Sequence, residues 1–128
     1  MRGGDLPYWN EPQYREALGS EADIVILMLG TNDSKYYQWN EQSFLTDYLA
    51  ISKSFLSMPS NPSLYLMIPP PLYQDHAYQM NQTVINSVFP SLIPQIAKEL
   101  GLPGDRVIDI MGAMGGRDLG GWEYFCDE

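Results

Sequence analysis

Apolar and polar positions in this chain follow two different periods. Residues 23–29, Asp-Ile-Val-Ile-Leu-Met-Leu, form a nearly unbroken apolar run of strand length, followed at once by the polar cluster Gly30-Thr31-Asn32-Asp33-Ser34-Lys35. A buried parallel strand that delivers its last residues to a site on the C-terminal edge of a sheet has this form. A second short apolar run, 64–68, stops at Pro69-Pro70-Pro71, which cannot donate ladder hydrogen bonds. A third strand is predicted at 106–110.

Between the strands the period lengthens. Residues 13–18 are weakly helical, with Asn10 as a cap and Gly19 as a stop. Asn40 is placed to cap a helix over 41–58, in which Phe44, Leu45, Tyr48, Leu49, Phe55 and Leu56 mark one buried face. From Met80 onward Val84, Val88, Leu92, Ile96 and Leu100 recur every fourth residue, beside Ile85, Phe89, Ile93 and Ala97. Pro90 and Pro94 interrupt that repeat, so a kink or two helices are expected, with Pro90 near a first turn. Gly101 ends the segment. The stretch 112–121 holds five glycines and reads as loop. Strands that alternate with helices predict an α/β architecture with a parallel sheet and right-handed crossovers.

Composition narrows the class. A chain of 128 residues, 45% of them hydrophobic, is at most one domain with room for a core. The net charge of −9 and seven scattered basic residues argue against nucleic acid, and disfavour an anionic membrane surface. No run approaches the roughly 20 apolar residues of a membrane span. The single cysteine, Cys126, excludes an internal disulfide framework, and nothing basic beside it activates the thiol. One histidine, His76, with no cysteine or histidine cluster, makes a metal site improbable.

From spacing alone, Asn32, Asp33 and Ser34 read as turn and cap residues. The whole run 23–35 changes that balance. It resembles the third sequence block of the SGNH (GDSL-type) hydrolases, a Gly-x-Asn-Asp placed after a strand. Three further features fit the same pattern: the triple proline after the next strand, the Val107-Ile108-Asp109 strand, and Phe125-Cys126-Asp127, where the family has Asp-x-x-His. Leu6-Pro7-Tyr8-Trp9 is similar to the stretch that, in esterases resembling sialate O-acetylesterases, leads into the first of the helices retained here.

The resemblance implies a three-layer α/β/α, flavodoxin-like fold with a parallel sheet, here incomplete, so that 1–128 is a single partial esterase domain. It implies ester hydrolysis, of carboxylic esters or carbohydrate O-acetyl groups, without a cofactor or metal, on a small-molecule or carbohydrate ester. In that chemistry a serine attacks the carbonyl, a histidine takes its proton and an aspartate orients the histidine. The resemblance gives Asn32 the role of oxyanion-hole donor, since its amide offers two donors and no titrating charge. It gives Asp127 the role of orienting acid. Asp33 is expected to accept hydrogen bonds under the loop.

The chain departs from the family in two respects. No Gly-Asp-Ser block occurs in it, and no histidine follows Asp127. Gly3 and Gly4 do not stand where an oxyanion glycine is needed, and His76 reads as a solvated loop residue. The chain is therefore expected to be inactive alone, and a non-catalytic SGNH-like binding protein is the alternative. A receiver-type module would need an acidic pair after its first strand and a lysine after its last, and the chain shows neither. Tyr36, Tyr37, Trp39 and Tyr73 fall in loops on the ligand side of the sheet. They either stack on a sugar or, as slightly favoured, pack the loop bases. With its first two strands missing, a 2-1-3-4-5 sheet leaves 23–29 as an apolar edge, and self-association through that exposed edge is expected.

Overall fold

The computed structural model describes residues 7–116. Their order is a 3₁₀ turn (Tyr8–Asn10), α1 (Pro12–Leu18), β1 (Ile24–Leu27), α2 (Glu41–Leu56), β2 (Ser63–Ile68), a π-helical turn (Val84–Val88), α3 (Phe89–Glu99), β3 (Val107–Asp109) and α4 (Ile110–Ala113). The strands form a three-stranded, wholly parallel sheet in the order β1-β2-β3. With its flanking helices this is an incomplete α/β three-layer fold.

Local chemistry explains most boundaries. Pro12 opens α1 because its missing N–H has no helical partner to lose there. The cap position is Glu11, not Asn10, because Asn10 is taken up in the preceding 3₁₀ turn. Asn40 does cap α2, its Oδ1 accepting the Ser43 N–H at 2.8 Å. The helix buries Phe44, Tyr48, Ile51, Ser52 and Phe55. Ile51 and Ser52 are additions to the expected face, and Leu45, Leu49 and Leu56 lie half-buried at its margins.

The interrupted third helix has a specific cause. Pro90 has no N–H to give the Asn86 carbonyl, and the preceding turn widens, the Phe89 N–H reaching back to the Val84 carbonyl. The α-helix then starts with Pro90 in its first turn, as expected, and carries Pro94 within it. It ends in a Schellman motif: Gly101 at φ 70° donates to the Lys98 carbonyl, and Leu102 to that of Ala97. The glycine-rich loop expected from 112 is corrected at its start, since Gly112 and Ala113 complete the short α4. The Asp109 carboxylate draws that turn in by accepting the Gly112 N–H at 2.8 Å.

β1 and β3 are shorter than the expected strands at 23–29 and 106–110, while β2 begins one residue before the 64–68 run, at Ser63. The register pairs Val25 with Leu64 and Leu27 with Leu66, and residues paired in a parallel ladder share a face. On that face Leu27, Leu64, Leu66 and Ile68 are buried together with residues of α2 and α3. The opposite face is uncovered among the described residues. Ile24, Ile26 and Met28 are 60%, 52% and 49% exposed there, and the Arg106 guanidinium lies 4.6 Å over the Tyr65 ring. Among the described residues β1 is one edge of the sheet, as expected, and β3 is the other.

Candidate functional site

The C-terminal end of β1 runs into a turn that only glycine can begin. Gly30 has φ 123°, and a Cβ there would lie 2.9 Å from both Phe44 Cε2 and Phe89 Cζ. Those two rings stack at 5.2 Å, and Trp39 packs on both at 5.3 and 5.6 Å. Beyond Gly30 the chain coils tightly. The Ser34 N–H donates to the Gly30 carbonyl at 3.0 Å, and its buried hydroxyl donates to the Thr31 carbonyl at 2.6 Å.

Asn32 stands at the crest of this turn. Its carbonyl accepts the Gln38 side-chain amide, which fixes the backbone beneath it. Its own side chain is exposed and makes no hydrogen bond among the described residues. Two cavities meet at this crest, since Thr31, Asn32 and Lys35 line both. One, of about 350 Å³, runs toward Tyr8, Trp9 and Asp47. The other, of about 540 Å³, lies between the crest, Pro70-Pro71 and Tyr78-Gln79. Asp33 is half-buried and lines the smaller cavity only.

The walls are tied together by polar clamps. Asn86, in the π-helical turn, accepts the Leu72 N–H and donates to the Leu72 carbonyl, both at 2.8 Å. Gln82 donates to that same carbonyl at 2.8 Å. These bonds hold the segment after the triple proline. Across the crest, Lys35 and Met80 form an antiparallel bridge, and the Asn81 N–H donates to the Ser34 carbonyl at 3.2 Å. Asp75 accepts the Tyr36 hydroxyl at 2.8 and 2.9 Å and the Gln82 N–H at 3.0 Å.

These contacts set the local titrations. The Gln82 backbone N–H, with the Tyr36 hydroxyl next, holds Asp75 below the ordinary carboxylate value. The same hydroxyl bond pushes Tyr36 up. Tyr48, beneath the β1 end, is pushed well up by burial, with its hydroxyl donating to the Leu27 carbonyl at 3.1 Å.

The residues singled out in the sequence are only partly brought together. Asn32 and the last two residues of the triple proline, Pro70 and Pro71, share a cavity. Asp127, Cys126, Gly3 and Gly4 lie outside the described residues. His76 is an exposed loop residue, 3.7 Å from the Asp75 carboxylate and stacked on Tyr36 at 4.3 Å. Of the loop aromatics, Trp39 packs the core, Tyr73 donates to the Met114 carbonyl, and Tyr36 and Tyr37 are exposed. Sequence reasoning missed Asn86 and Tyr78. For Asn86 the signal was a polar Asn-Ser pair inside an apolar repeat. Tyr78 had none. Among the described residues no three histidine, cysteine or acidic side chains gather as a metal site would require, and no helix is long and apolar enough to cross a membrane.

No family model matches the chain, and no solved structure matches it. It is similar to the acetylxylan esterase of Xylanibacter ruminicola, with 29% identity over 132 aligned residues. The alignment takes in 89% of this chain and 27% of that protein, so the chain spans about a quarter of its relative's length. This similarity supports an ester-hydrolase reading.

Proposed function

We propose that this chain is part of an SGNH-type ester hydrolase that removes O-acetyl groups from carbohydrate, and that Asn32 is an oxyanion-hole donor. The observation that carries this is the Asn32 amide: exposed, unengaged among the described residues, and fixed from below on a turn where two cavities meet. A donor held rigidly before the charge develops is the arrangement that stabilises a tetrahedral oxyanion.

In the proposed reaction a serine oxygen attacks the acetyl carbonyl carbon. A histidine takes the serine proton and then passes it to the departing sugar hydroxyl. Water repeats the cycle on the acyl-enzyme and releases acetate. The Asn32 amide donates to the carbonyl oxygen as it becomes an anion. Asp127 is proposed to orient the histidine. The serine and the histidine are proposed to come from sequence beyond these 128 residues, which then constitute one partial domain. That fits a relative nearly four times as long.

The test begins with the intact mass of the native protein in its source. A species well above 14.5 kDa is expected. In that longer form, Asn32→Ala should lower kcat on acetylated xylan and on p-nitrophenyl acetate by about 10²–10³, with little change in KM. A native species of 14.5 kDa without serine-esterase activity would instead establish the second reading, a non-catalytic binding protein. The uncovered sheet face favours that reading, because it offers apolar surface to a partner.

A further inference from the structure

One wall of the larger cavity is built from backbone that side chains rarely tolerate. His76, Tyr78 and Gln79 have φ values of 64°, 51° and 67°. Non-glycine residues hold such angles only where their surroundings impose them. Among the contacts that hold this loop, beside the His76 N–H bond to the Met80 carbonyl and the Lys35–Met80 bridge, are three from Tyr36. Its hydroxyl binds Asp75, its ring stacks on His76, and its N–H donates to the Gln79 carbonyl at 3.2 Å.

The product of this strain is the position of Tyr78. It is 74% exposed, the most exposed large side chain of its kind among the described residues, yet it borders the same cavity as Asn32. A ring so little buried returns almost no hydrophobic stabilisation, so its own packing does not explain the strain. A solvent-facing aromatic ring beside a cavity presents a flat apolar surface with a polar tip. The apolar C–H face of a pyranose ring matches that surface. Pro70 and Pro71 form a rigid wall, and the amides of Gln79 and Asn32 offer partners for ring hydroxyls. The net charge of −9 repels uronic acid polymers and favours a neutral glycan.

We propose that Tyr78 is a stacking platform for a neutral pyranose unit of the glycan that carries the ester, an inference that rests on the carbohydrate-esterase reading above. Its test reads glycan binding separately from hydrolysis. Xylohexaose without acetyl groups is titrated calorimetrically into the native-length protein and into Tyr78→Phe and Tyr78→Asn. Asparagine tolerates the left-handed backbone, so Tyr78→Asn keeps the loop and removes only the ring. Saturable binding is expected, unchanged within about twofold in Tyr78→Phe and about tenfold weaker in Tyr78→Asn. Hydrolysis of p-nitrophenyl acetate by the unaltered protein is measured beside it.

Equal binding by Tyr78→Asn, or no binding by the unaltered protein, overturns the platform, whatever happens to the aryl acetate. Tyr78-dependent binding without aryl acetate hydrolysis keeps the platform and overturns the esterase reading instead. Hexagalacturonate bound as tightly as xylohexaose overturns the neutral-glycan assignment.

Discussion

Gly30 is packed so closely against Phe44 that a single added carbon would come within 2.9 Å of the ring edge. The polar crest that bears Asn32 is thereby seated on the aromatic core, with no side chain between them. Gly30→Ala should cost about 2–3 kcal/mol, combining a positive φ with overpacking. Chemical denaturation measures it. Phe44→Leu in the Gly30→Ala background should recover part of the loss, as a coupling between residues in contact. A change below about 0.5 kcal/mol, the range of ordinary surface substitutions, would mean that the crest is not seated this way.

Asn86 is the second anchor of the site, and its value lies in bonding both backbone groups of Leu72. Asn86→Ala orphans the Leu72 N–H, while Gln82 still serves the carbonyl. A loss of about 1–3 kcal/mol is expected, together with faster amide exchange at Leu72. Asn86→Asp should not rescue it, because it sets a second acceptor against the Leu72 carbonyl. An unchanged exchange rate at Leu72 in Asn86→Ala would refute the clamp.

How far the sequence disclosed the fold follows from the range of each interaction. Asn40, Pro90 and Gly101 act on backbone within a few residues of themselves, so their roles could be read from the chain. That the sheet is parallel followed from the alternation of strand and helix, whereas the contiguous order β1-β2-β3 was what the flavodoxin-like resemblance implied. Asn86 could not be assigned, because its partner is 14 residues away across a loop whose path depends on three prolines. Tyr78 could not either, since the contacts that hold its loop, those of Tyr36 and the Lys35–Met80 bridge among them, are tertiary. Asn32 was found through family resemblance. Spacing alone made it a turn residue, and in the structure it is that as well.

The Tyr36–Asp75 clamp should hold the 75–80 loop only between two pH limits. The folded-state value of Asp75 lies below its ordinary 3.8. Its contribution is therefore complete above about that pH and is lost as the pH falls through the lowered value. Tyr36 lies above its ordinary 10.0, so its contribution is complete below that pH and is lost as the pH rises through the raised value. Both groups are solvent-facing, which keeps the global effect small. The local effect is measurable from the Gln82 amide shift, which should move as the pH falls through the lowered Asp75 value, and from the Tyr36 ring shifts, which should move as the pH rises through the raised Tyr36 value. Tyr36→Phe should retain the His76 stack, remove the upper limit and raise the Asp75 midpoint. An unaltered Asp75 midpoint in Tyr36→Phe would rule out the hydroxyl as its partner.

The uncovered face of the sheet carries the last prediction. Ile24 and Ile26 project from a strand with only one neighbour among the described residues, which leaves both a backbone edge and an apolar face for another chain. The 128-residue chain expressed alone should therefore self-associate, with a mass in analytical ultracentrifugation that rises with concentration. Ile26→Lys should shift it toward monomer. Pairing two such edges would bring like charges together, and packing two such faces would bury them. Because Ile26 is 52% exposed, the same change should leave the helical circular dichroism signal intact, and Ile26→Val should leave association unchanged. A monomer at every concentration would reject association through this surface. A native-length protein that stays monomeric where the isolated chain associates would instead mean that its remaining polypeptide occupies the edge and face. That is the outcome the esterase reading requires, since its serine and histidine are proposed to come from that polypeptide.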